Sequence, residues 1–207
     1  MSQAIGDLPE EVTDSGQTMK YPKRKACSDY QKLMRLDFDC PPYSEAVKRR
    51  RGIGDGPTVL HNHHTKEFQA RRFRLISLLR PGEKANSLPK SIWNGTRPGK
   101  WRRLHPDRPA YTILANMHRD LSEFVHPTLH RWITVREAAR LQSFHDGFVF
   151  QGSEWQQLKQ IGNAVPPLLA YALGRVAADL LTELRRKQRA PKGVEEPLLP
   201  LDDGLLV

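Results

Sequence analysis

A long apolar stripe near the end of the chain constrains the fold more than any other feature. Between Pro166 and Arg186, apolar residues recur at intervals of three and four, the spacing that places them on one side of an α-helix. They are Leu168, Leu169, Ala172, Leu173, Val176, Ala177, Leu180 and Leu184. Such a helix is roughly 30 Å long. A stripe of this length must be covered, so the chain either folds over it or associates with a partner.

The segment 134–173 leads into this helix and carries further local signals. Thr134 lies three residues before Glu137, which predicts a capping box at a helix start. The Gly-Asn pair at 162–163 predicts a tight turn, and the Pro-Pro pair at 166–167 suits the first turn of the next helix. We therefore expect a capped helix, a short apolar turn, a polar connection, a Gly-Asn loop and a second helix.

The charge balance favours a polyanionic partner. The 207 residues include 33 Lys and Arg against 23 Asp and Glu, a formal net charge of +10. Neutralising phosphates releases counterions, although a merely soluble basic surface is the alternative. We find neither an apolar run of about eighteen residues nor a secretory signal, so we expect no membrane span. The two cysteines, Cys27 and Cys40, indicate no disulfide framework and no zinc site, which suits an intracellular protein.

The closing segment contains two motifs in a distinctive order. The first reads Arg-Glu-Ala-Ala-Arg-Leu-Gln-Ser-Phe from Arg136 and is followed by Asp-Gly-Phe from Asp146; the second reads Gln-Ile-Gly-Asn-Ala-Val-Pro-Pro from Gln160. In order and spacing they resemble the last two conserved blocks of the cytosine-5 DNA methyltransferases. His145 stands where the family usually has proline, a departure that loosens the turn and threatens no catalytic role.

The resemblance implies an α+β fold. We expect a small, loop-rich, β-containing target-recognition domain, plus C-terminal helices that complete an S-adenosylmethionine-dependent methyltransferase α/β (Rossmann-like) core. The predicted divisions are a lead-in segment at 1–60, the recognition domain at 61–130, the closing helices at 131–189 and a mobile tail at 190–207.

The resemblance also implies roles for individual residues. Contacts to S-adenosylmethionine fall on Phe148, Asn163 and Ala164, and structural roles fall on Arg136, Glu137 and Gly162. For Phe148 a plain core aromatic is the open alternative.

The predicted recognition domain carries the expected DNA contacts. The resemblance gives Thr112 a contact to the DNA backbone. Cationic side chains interleaved with aromatics suit phosphates and bases, and we expect DNA contacts from Arg71, Arg74, Arg97, Lys100, Arg102 and Arg103. Trp93 and Trp101 either take part in this surface or form the core of the small domain.

The chemical groups that the family uses for methyl transfer are absent from this sequence. The family carries a Phe-x-Gly-x-Gly loop for the cofactor, a Pro-Cys nucleophile and a Glu-Asn-Val triplet. Here Cys40 precedes a proline instead of following one, and Cys27 follows an alanine. We therefore predict no catalytic residue and no metal ligand in this chain, and no activity from it alone.

Taken together, these features predict that the chain is the carboxy-terminal part of a DNA (cytosine-5-)-methyltransferase. It would bind double-stranded DNA and share S-adenosylmethionine with a second chain that carries the missing blocks and methylates a flipped cytosine. The resemblance implies a prokaryotic or phage-encoded restriction-modification protein, cytoplasmic and associated with the nucleoid.

Two alternative functions belong to other classes of protein. One is a stand-alone DNA-binding module, or an inactive truncated methyltransferase. The other is an HNH-like nuclease or metal site built on the His-Asn-His-His stretch at 61–64. Since no acidic or Cys/His cluster lies at a fitting spacing, we expect a polar turn there instead.

Overall fold

The described residues form helices of unequal length and two small sheets. The computed structural model describes residues 1–21, 25–38, 40–41, 43–44, 46, 59–66, 70–94, 101–114 and 124–189. The helices are α1 (Ser2–Ile5), α2 (Asp29–Met34), α3 (Ala70–Ser77), α4 (Val135–Leu141), α5 (Glu154–Asn163) and α6 (Pro167–Arg189), with a 3-10 turn at Ala85–Ser87. The strands are β1 (Met19–Lys20), β2 (Val59–Leu60), β3 (Arg102–Arg103) and β4 (Phe124–Val125). This mixture is of the α+β class.

Each sheet pairs strands that are distant in the sequence. Strands β1 and β2 are antiparallel, with Met19 opposite Leu60. Strands β3 and β4 are parallel, with Arg102 opposite Phe124. The pairing therefore ties the first part of the chain to its middle, and the basic segment at 101–103 to the residues just before α4.

Helix α5 corrects the predicted connection between the two closing motifs. Residues 154–163 form a helix, so Gly162 and Asn163 lie in its last turn instead of in a loop. Ser153 and Gln156 form a capping box at its start, and Leu158 and Ile161 are buried. The cap and the buried apolar pair stabilise a helix that the polar composition of the segment had concealed.

One core joins the predicted recognition domain to the predicted closing helices. Its buried members are Leu104, Ile113, Phe124, Ile133, Val135, Ala138, Ala139, Phe150, Leu158 and Ile161. Residues Met1–Tyr171 form one compact unit, and Ala172–Val207 form the other. The predicted boundaries at residues 60 and 130 both fall inside the first unit, because apolar residues from either side of residue 130 pack together.

The tryptophans of the basic segment belong to a second core. The Trp101 ring lies 4.7 Å from the Trp93 ring and 6.3 Å from the Trp132 ring, between centroids. Trp101 and Trp132 are buried together with Ile76 and Leu79 of the α3 region. The sequence allowed these tryptophans either a DNA-contacting surface or the core of the small domain. In the structure they pack in a core.

Helix α6 begins at Pro167, one residue after the predicted start at Pro166, and its apolar stripe is exposed. No residue of this helix is buried, and Leu173, Val176 and Leu180 are 59%, 59% and 56% exposed. By length and composition alone, Glu154–Arg189 contains an 18-residue stretch of mean hydropathy 1.3, apolar enough to cross a membrane. An uninterrupted run of about eighteen apolar residues is still absent, because Arg175 and Asp179 interrupt the apolar residues of α6.

Candidate functional site

Helix α4 begins with the predicted capping box. Thr134 Oγ1 accepts a hydrogen bond from the Glu137 backbone N–H at 3.1 Å, and Glu137 Oε2 accepts one from the Thr134 N–H at 2.8 Å. The two side chains are buried and satisfy backbone donors that the first helical turn leaves unpaired. The first turn of α4 is thereby fixed, and it carries two of the residues singled out from the sequence, Arg136 and Glu137.

Arg131 holds the Glu137 carboxylate in its ionised form. The guanidinium of Arg131 donates to both carboxylate oxygens, at 2.7 and 2.8 Å. Burial raises the pKa of Glu137, but the charge and hydrogen bonds of Arg131 outweigh it and lower the pKa to about 2. His126 lies 3.6 Å from the same carboxylate, and burial lowers its pKa to about 4. At neutral pH a neutral imidazole therefore lies beside the charged pair.

Arg136 connects α4 to the segment 145–150. Its fully buried guanidinium donates to the carbonyls of His145 at 3.1 Å and Phe148 at 2.7 Å. Its backbone N–H donates to the carbonyl of Asn62 at 2.8 Å. Arg136 thus contacts main chain on two sides and holds the loop that carries Phe148.

Phe148 occupies the edge of an aromatic cluster. Its ring centroid lies 4.9 Å from that of Phe150, 5.1 Å from that of Phe144 and 6.4 Å from that of His145. The residue is 43% exposed. The ring packs on its aromatic neighbours and remains partly exposed, which differs from the plain core aromatic that the sequence left as an alternative.

Asn163 and Ala164 lie at the C-terminal end of α5. Ala164 adopts an extended conformation and ends the helix, and its N–H donates to the carbonyl of Ile161. Asn163 lines an open cleft together with Gln151, Gly152, Trp155, Gln156, Lys159 and Gln160. Phe148 and Ala164 are not among the described residues that line this cleft.

Arg102 is stacked on an aromatic ring beside Thr112. Its guanidinium carbon lies 3.6 Å from the centroid of the Tyr111 ring, and that ring is stacked in turn on Phe124 at 6.4 Å. Thr112 is exposed and lines a second cleft, which includes Tyr30. The structure therefore brings two predicted DNA contacts, Arg102 and Thr112, close together.

Arg103 has a different place from the one predicted. It is 2% exposed, and its guanidinium donates to the carbonyls of Ile76, Leu79, His126 and Leu129 at 2.7 to 2.9 Å. A buried guanidinium whose donors are occupied by main chain does not reach DNA. It fastens the end of α3 to the segment 126–129 instead.

The other predicted DNA contacts are distributed unevenly. Arg74 is exposed on α3. The side chain of Arg71 on the same helix, and Arg97 and Lys100, lie outside the described residues.

The sequence reading missed a buried charge network around Arg140. This guanidinium donates to both carboxylate oxygens of Asp146, at 2.9 and 2.6 Å, and also contacts Asp7 and the Tyr21 hydroxyl. Burial lowers the pKa of Arg140, but Asp146 outweighs it and raises the pKa well above its usual range. The signal was present in the sequence as Asp7 and Arg140, but no local pattern connects residues so far apart. The network anchors the predicted lead-in segment to α4; Arg35 also contacts Asp7, at 2.6 Å.

The His-Asn-His-His stretch is packed into the fold. One nitrogen of the His63 ring lies 3.0 Å from the Pro9 carbonyl and the other 3.2 Å from Thr134 Oγ1. Burial lowers the pKa of both His63 and His64. Within the part of the chain that the structure describes, no group of three or more His, Cys, Asp or Glu side chains could hold a metal ion. His63 is therefore engaged by protein on both sides.

Known proteins resemble this chain over most of its length. The type II methyltransferase M.AgeI of Thalassovita gelatinovora is 31% identical over 227 residues, covering 82% of this chain and 48% of that protein. The type II methyltransferase M.DdeI of Desulfomicrobium norvegicum is 34% identical over 191 residues, covering 84% and 41%. The chain therefore spans less than half the length of these relatives.

A solved structure and a family model complete the comparison. An E. coli crystal structure, described as a DNA modification methyltransferase encoded within a prophage, matches with a TM-score of 0.57 and 22% identity, over 84% of this chain and 45% of that one. This likeness shows a shared fold. The model of the C-5 cytosine-specific DNA methylases matches residues 1–178, from the first helix into α6. Since that match covers most of the sequence, the chain belongs to the C-5 cytosine-specific DNA methylase family.

Proposed function

We propose that this chain is the DNA-recognition and cofactor-closing part of a cytosine-5 DNA methyltransferase whose catalytic blocks come from a second polypeptide. The exposed apolar face of α6 carries the proposal. Leu169, Leu173, Val176, Leu180 and Leu184 lie within one side of the helix, and each is more than half exposed. The chain spans less than half of M.AgeI and of M.DdeI, so the remaining part of such an enzyme is the cover we propose for this face.

The catalytic step needs groups that this sequence does not contain. Cytosine-5 methylation uses a thiolate that adds to the ring and a general acid nearby. The chain has no Pro-Cys dipeptide, because Cys40 precedes Pro41 and Cys27 follows Ala26. We therefore assign the nucleophile to the second polypeptide, which acts on a cytosine flipped out of the duplex.

The proposed cofactor contacts suit S-adenosylmethionine. The exposed part of Phe148 can pack against a flat or apolar part of the ligand. Within the described part of the chain, no hydrogen-bond partner is found for the side-chain amide of the exposed Asn163. This amide can bind the amino-acid end of S-adenosylmethionine. Ala164 leaves space beside it. When bound, the ligand supplies the methyl group, and these residues orient and enclose it.

The proposed DNA contacts lie on a basic surface. Arg74, Arg102 and Thr112 are the members that the structure leaves accessible in part or in full. A net charge of +10 agrees with phosphate binding, which positions a protein on the duplex before bases are read. A DNA-bound protein of this kind would be associated with the nucleoid in the cytoplasm.

Protein is a better cover for α6 than lipid. At about 3.6 residues per turn, Arg175 and Arg185 lie on the side of the helix away from the face formed by Leu169, Leu173, Val176, Leu180 and Leu184, and Asp179 lies outside that face. Charged side chains near the centre of a bilayer cost several kcal/mol each, at about 3 kcal/mol on insertion scales. A helix with one apolar and one charged side is suited to the surface of a protein core, and we propose no membrane span.

The decisive experiment is reconstitution. The purified chain is mixed with duplex DNA, labelled S-adenosylmethionine and a polypeptide that carries the Phe-x-Gly-x-Gly, Pro-Cys and Glu-Asn-Val blocks, encoded beside this chain or taken from the unaligned part of M.AgeI. We expect label at carbon 5 of cytosine only when both polypeptides are present. Salt-sensitive DNA binding by this chain, without label transfer in any mixture, would support a stand-alone binding module instead.

A matched pair of variants tests the proposed cover. Leu173→Ser with Leu180→Ser places two hydroxyls on the apolar face, whereas Arg175→Ser with Asp179→Ser changes two charged residues outside that face. We expect the first pair to weaken association with the catalytic polypeptide by at least about tenfold, since each lost Leu contact is worth more than about 1 kcal/mol. The second pair should leave association within about twofold of the wild type. Equal effects of the two pairs would contradict the proposed interface.

A further inference from the structure

We propose that Asn62 is a positioning residue for the cofactor side of this chain: its side-chain amide clamps the main chain of Phe150 and thereby fixes the Phe148 ring. The inference rests on the proposed contact of Phe148 with the cofactor. Asn62 lies in the turn before α3, far from both closing motifs in the sequence. The sequence predicted a polar turn at Asn62 and gave it no contact with the cofactor.

The clamp is a closed pair of hydrogen bonds. The Asn62 Nδ2 donates to the Phe150 carbonyl at 3.0 Å, and Asn62 Oδ1 accepts from the Phe150 N–H at 3.0 Å. A side-chain amide thus pairs with both polar groups of one residue, as a neighbouring strand would. Phe150 is 3% exposed, so these main-chain groups have little access to water and depend on this partner.

The remaining hydrogen-bonding capacity of Asn62 is also filled. Nδ2 donates to Gln157 Oε1 at 3.2 Å, and Oδ1 accepts from Arg136 at 3.3 Å. An amide side chain has two donors and two acceptor sites, and all four are used here. Gln157 in turn donates to the Gly152 carbonyl at 2.7 Å, which extends the hold along the same loop.

Arg136 holds the other end of the Phe148 segment. It donates to the carbonyls of His145 and Phe148, while its Nε donates to the carbonyl of His61 at 3.1 Å. The segment 145–150 is therefore fixed from both ends by Asn62 and Arg136. Within this segment Phe148 remains 43% exposed.

Asparagine fits this position for two separate reasons. The backbone of Asn62 has a φ of 60°, in the left-handed region that favours Gly and Asn. Its amide has the donor and acceptor that Phe150 requires. Asn62→Gly keeps the backbone freedom and removes the amide. Asn62→Asp keeps the shape but replaces the donor with an oxygen that faces the Phe150 carbonyl.

Hydrogen exchange in the isolated chain tests the clamp directly. In the wild type, the Phe150 amide should exchange as slowly as the buried amides of α4. In Asn62→Gly it should exchange about tenfold faster, since the hydrogen bond from this N–H to the side chain is lost. Asn62→Asp keeps that acceptor and loses the donor to the Phe150 carbonyl, so its Phe150 amide should be less affected than in Asn62→Gly. The α4 amides serve as the internal reference, and Asn86→Gly, at an exposed site, serves as the control variant.

Two results would overturn the inference. The first is a wild-type Phe150 amide that exchanges as fast as the amide of exposed Gln151, a measurement that needs no variant to fold. The second is a Phe150 amide as well protected in Asn62→Gly as in the wild type, which would mean that only the backbone conformation of Asn62 matters.

Weaker NOEs between the Phe148 and Phe150 rings in Asn62→Gly would support the inference, because they would show that the Phe148 ring has moved.

Kinetics of the assembled enzyme distinguish a positioning role from a purely structural one, because loss of structure would affect the KM values for S-adenosylmethionine and DNA alike. In the two-polypeptide mixture, Asn62→Gly should raise the KM for S-adenosylmethionine by about tenfold and leave the KM for DNA within about twofold. An equal rise in both would overturn the positioning role. If no mixture transfers label at all, the proposed function fails, while the exchange and NOE measurements still decide whether the clamp exists.

Discussion

The guanidinium of Arg102 lies over the Tyr111 ring, and its central carbon is 3.6 Å from the ring centroid. Among the described residues, none accepts a hydrogen bond from the buried Nε of this guanidinium. Stacking on the ring fixes the orientation of the charge without occupying its donors. Thr112, the residue to which the resemblance gives a DNA-backbone contact, directly follows Tyr111. This pair is therefore the part of the proposed DNA surface for which the structure gives the most definite geometry.

Replacing Arg102 should weaken DNA binding in a salt-dependent way. We expect Arg102→Ala to reduce the slope of log K against log salt concentration by about 0.9, the value for one lost phosphate contact. Tyr111→Phe keeps the stack and should bind as the wild type does, whereas Tyr111→Leu should bind about twofold to fivefold more weakly. Fluorescence anisotropy with a labelled duplex at several salt concentrations measures this. Lys90→Ala, at an exposed site, controls for net charge, and an equal effect of that change would contradict the prediction.

Replacing Arg103 should affect folding. Arg103→Met leaves up to four carbonyls without their donor, among them those of Ile76 and Leu79, and should lower the free energy of unfolding by about 2 to 4 kcal/mol. Urea denaturation followed by tryptophan fluorescence measures the loss. The exposed Arg74 provides the control, because Arg74→Met should change stability by less than about 0.5 kcal/mol. If Arg103→Met leaves the free energy of unfolding unchanged, the structural role is contradicted and Arg103 again becomes a candidate for DNA contact.

Glu137 should make stability dependent on pH in acid. Its pKa in the folded chain is about 2, below its usual value of 4.5. A lowered pKa contributes stability that is present above the unfolded value and is lost as pH falls through the folded one. We expect the stability advantage of the wild type over Glu137→Gln to be a few kcal/mol, order-of-magnitude, at pH 6 and to shrink steadily between about pH 5 and pH 2. Denaturation curves across this range measure it; a constant difference would contradict the ion pair with Arg131.

Removing Arg140 should be among the most damaging single changes. Arg140→Met leaves the buried carboxylates of Asp7 and Asp146 without their shared cation, and we expect a loss of about 3 to 5 kcal/mol in the free energy of unfolding. Lys32→Met breaks the exposed ion pair with Asp29 and should cost less than about 1 kcal/mol. Chemical denaturation of the two variants gives the comparison. Similar small losses in both would mean that the Arg140 network is solvated.

Features with a local physical cause could be predicted from the sequence. The capping box of Thr134 and Glu137 needs only two residues three apart, and the structure contains it. The long last helix follows from its own periodicity; it was predicted over 166–186 and is found at Pro167–Arg189. In both cases the residues that create the feature are close neighbours along the chain.

Features that depend on distant residues could not be predicted in this way. Arg103 lies in a basic stretch and was assigned to DNA, but carbonyls from residues 76–79 and 126–129 fold around it. The partnership of Asp7 and Arg140 spans most of the chain, and no spacing rule reveals it. The α5 helix was hidden for another reason, because a polar surface helix looks like a loop until its capping residues, Ser153 and Gln156, are recognised.

The uncovered side of α6 has a consequence for how such a protein would be produced in a cell. Under the proposed two-polypeptide arrangement, a copy of this chain without its partner presents a row of leucines, the kind of surface that chaperones and proteases act on. Unmatched copies would be cleared, so the scarcer of the two polypeptides would set the amount of working enzyme. Synthesis of the pair at similar rates would then be as important to the organism as the affinity between them.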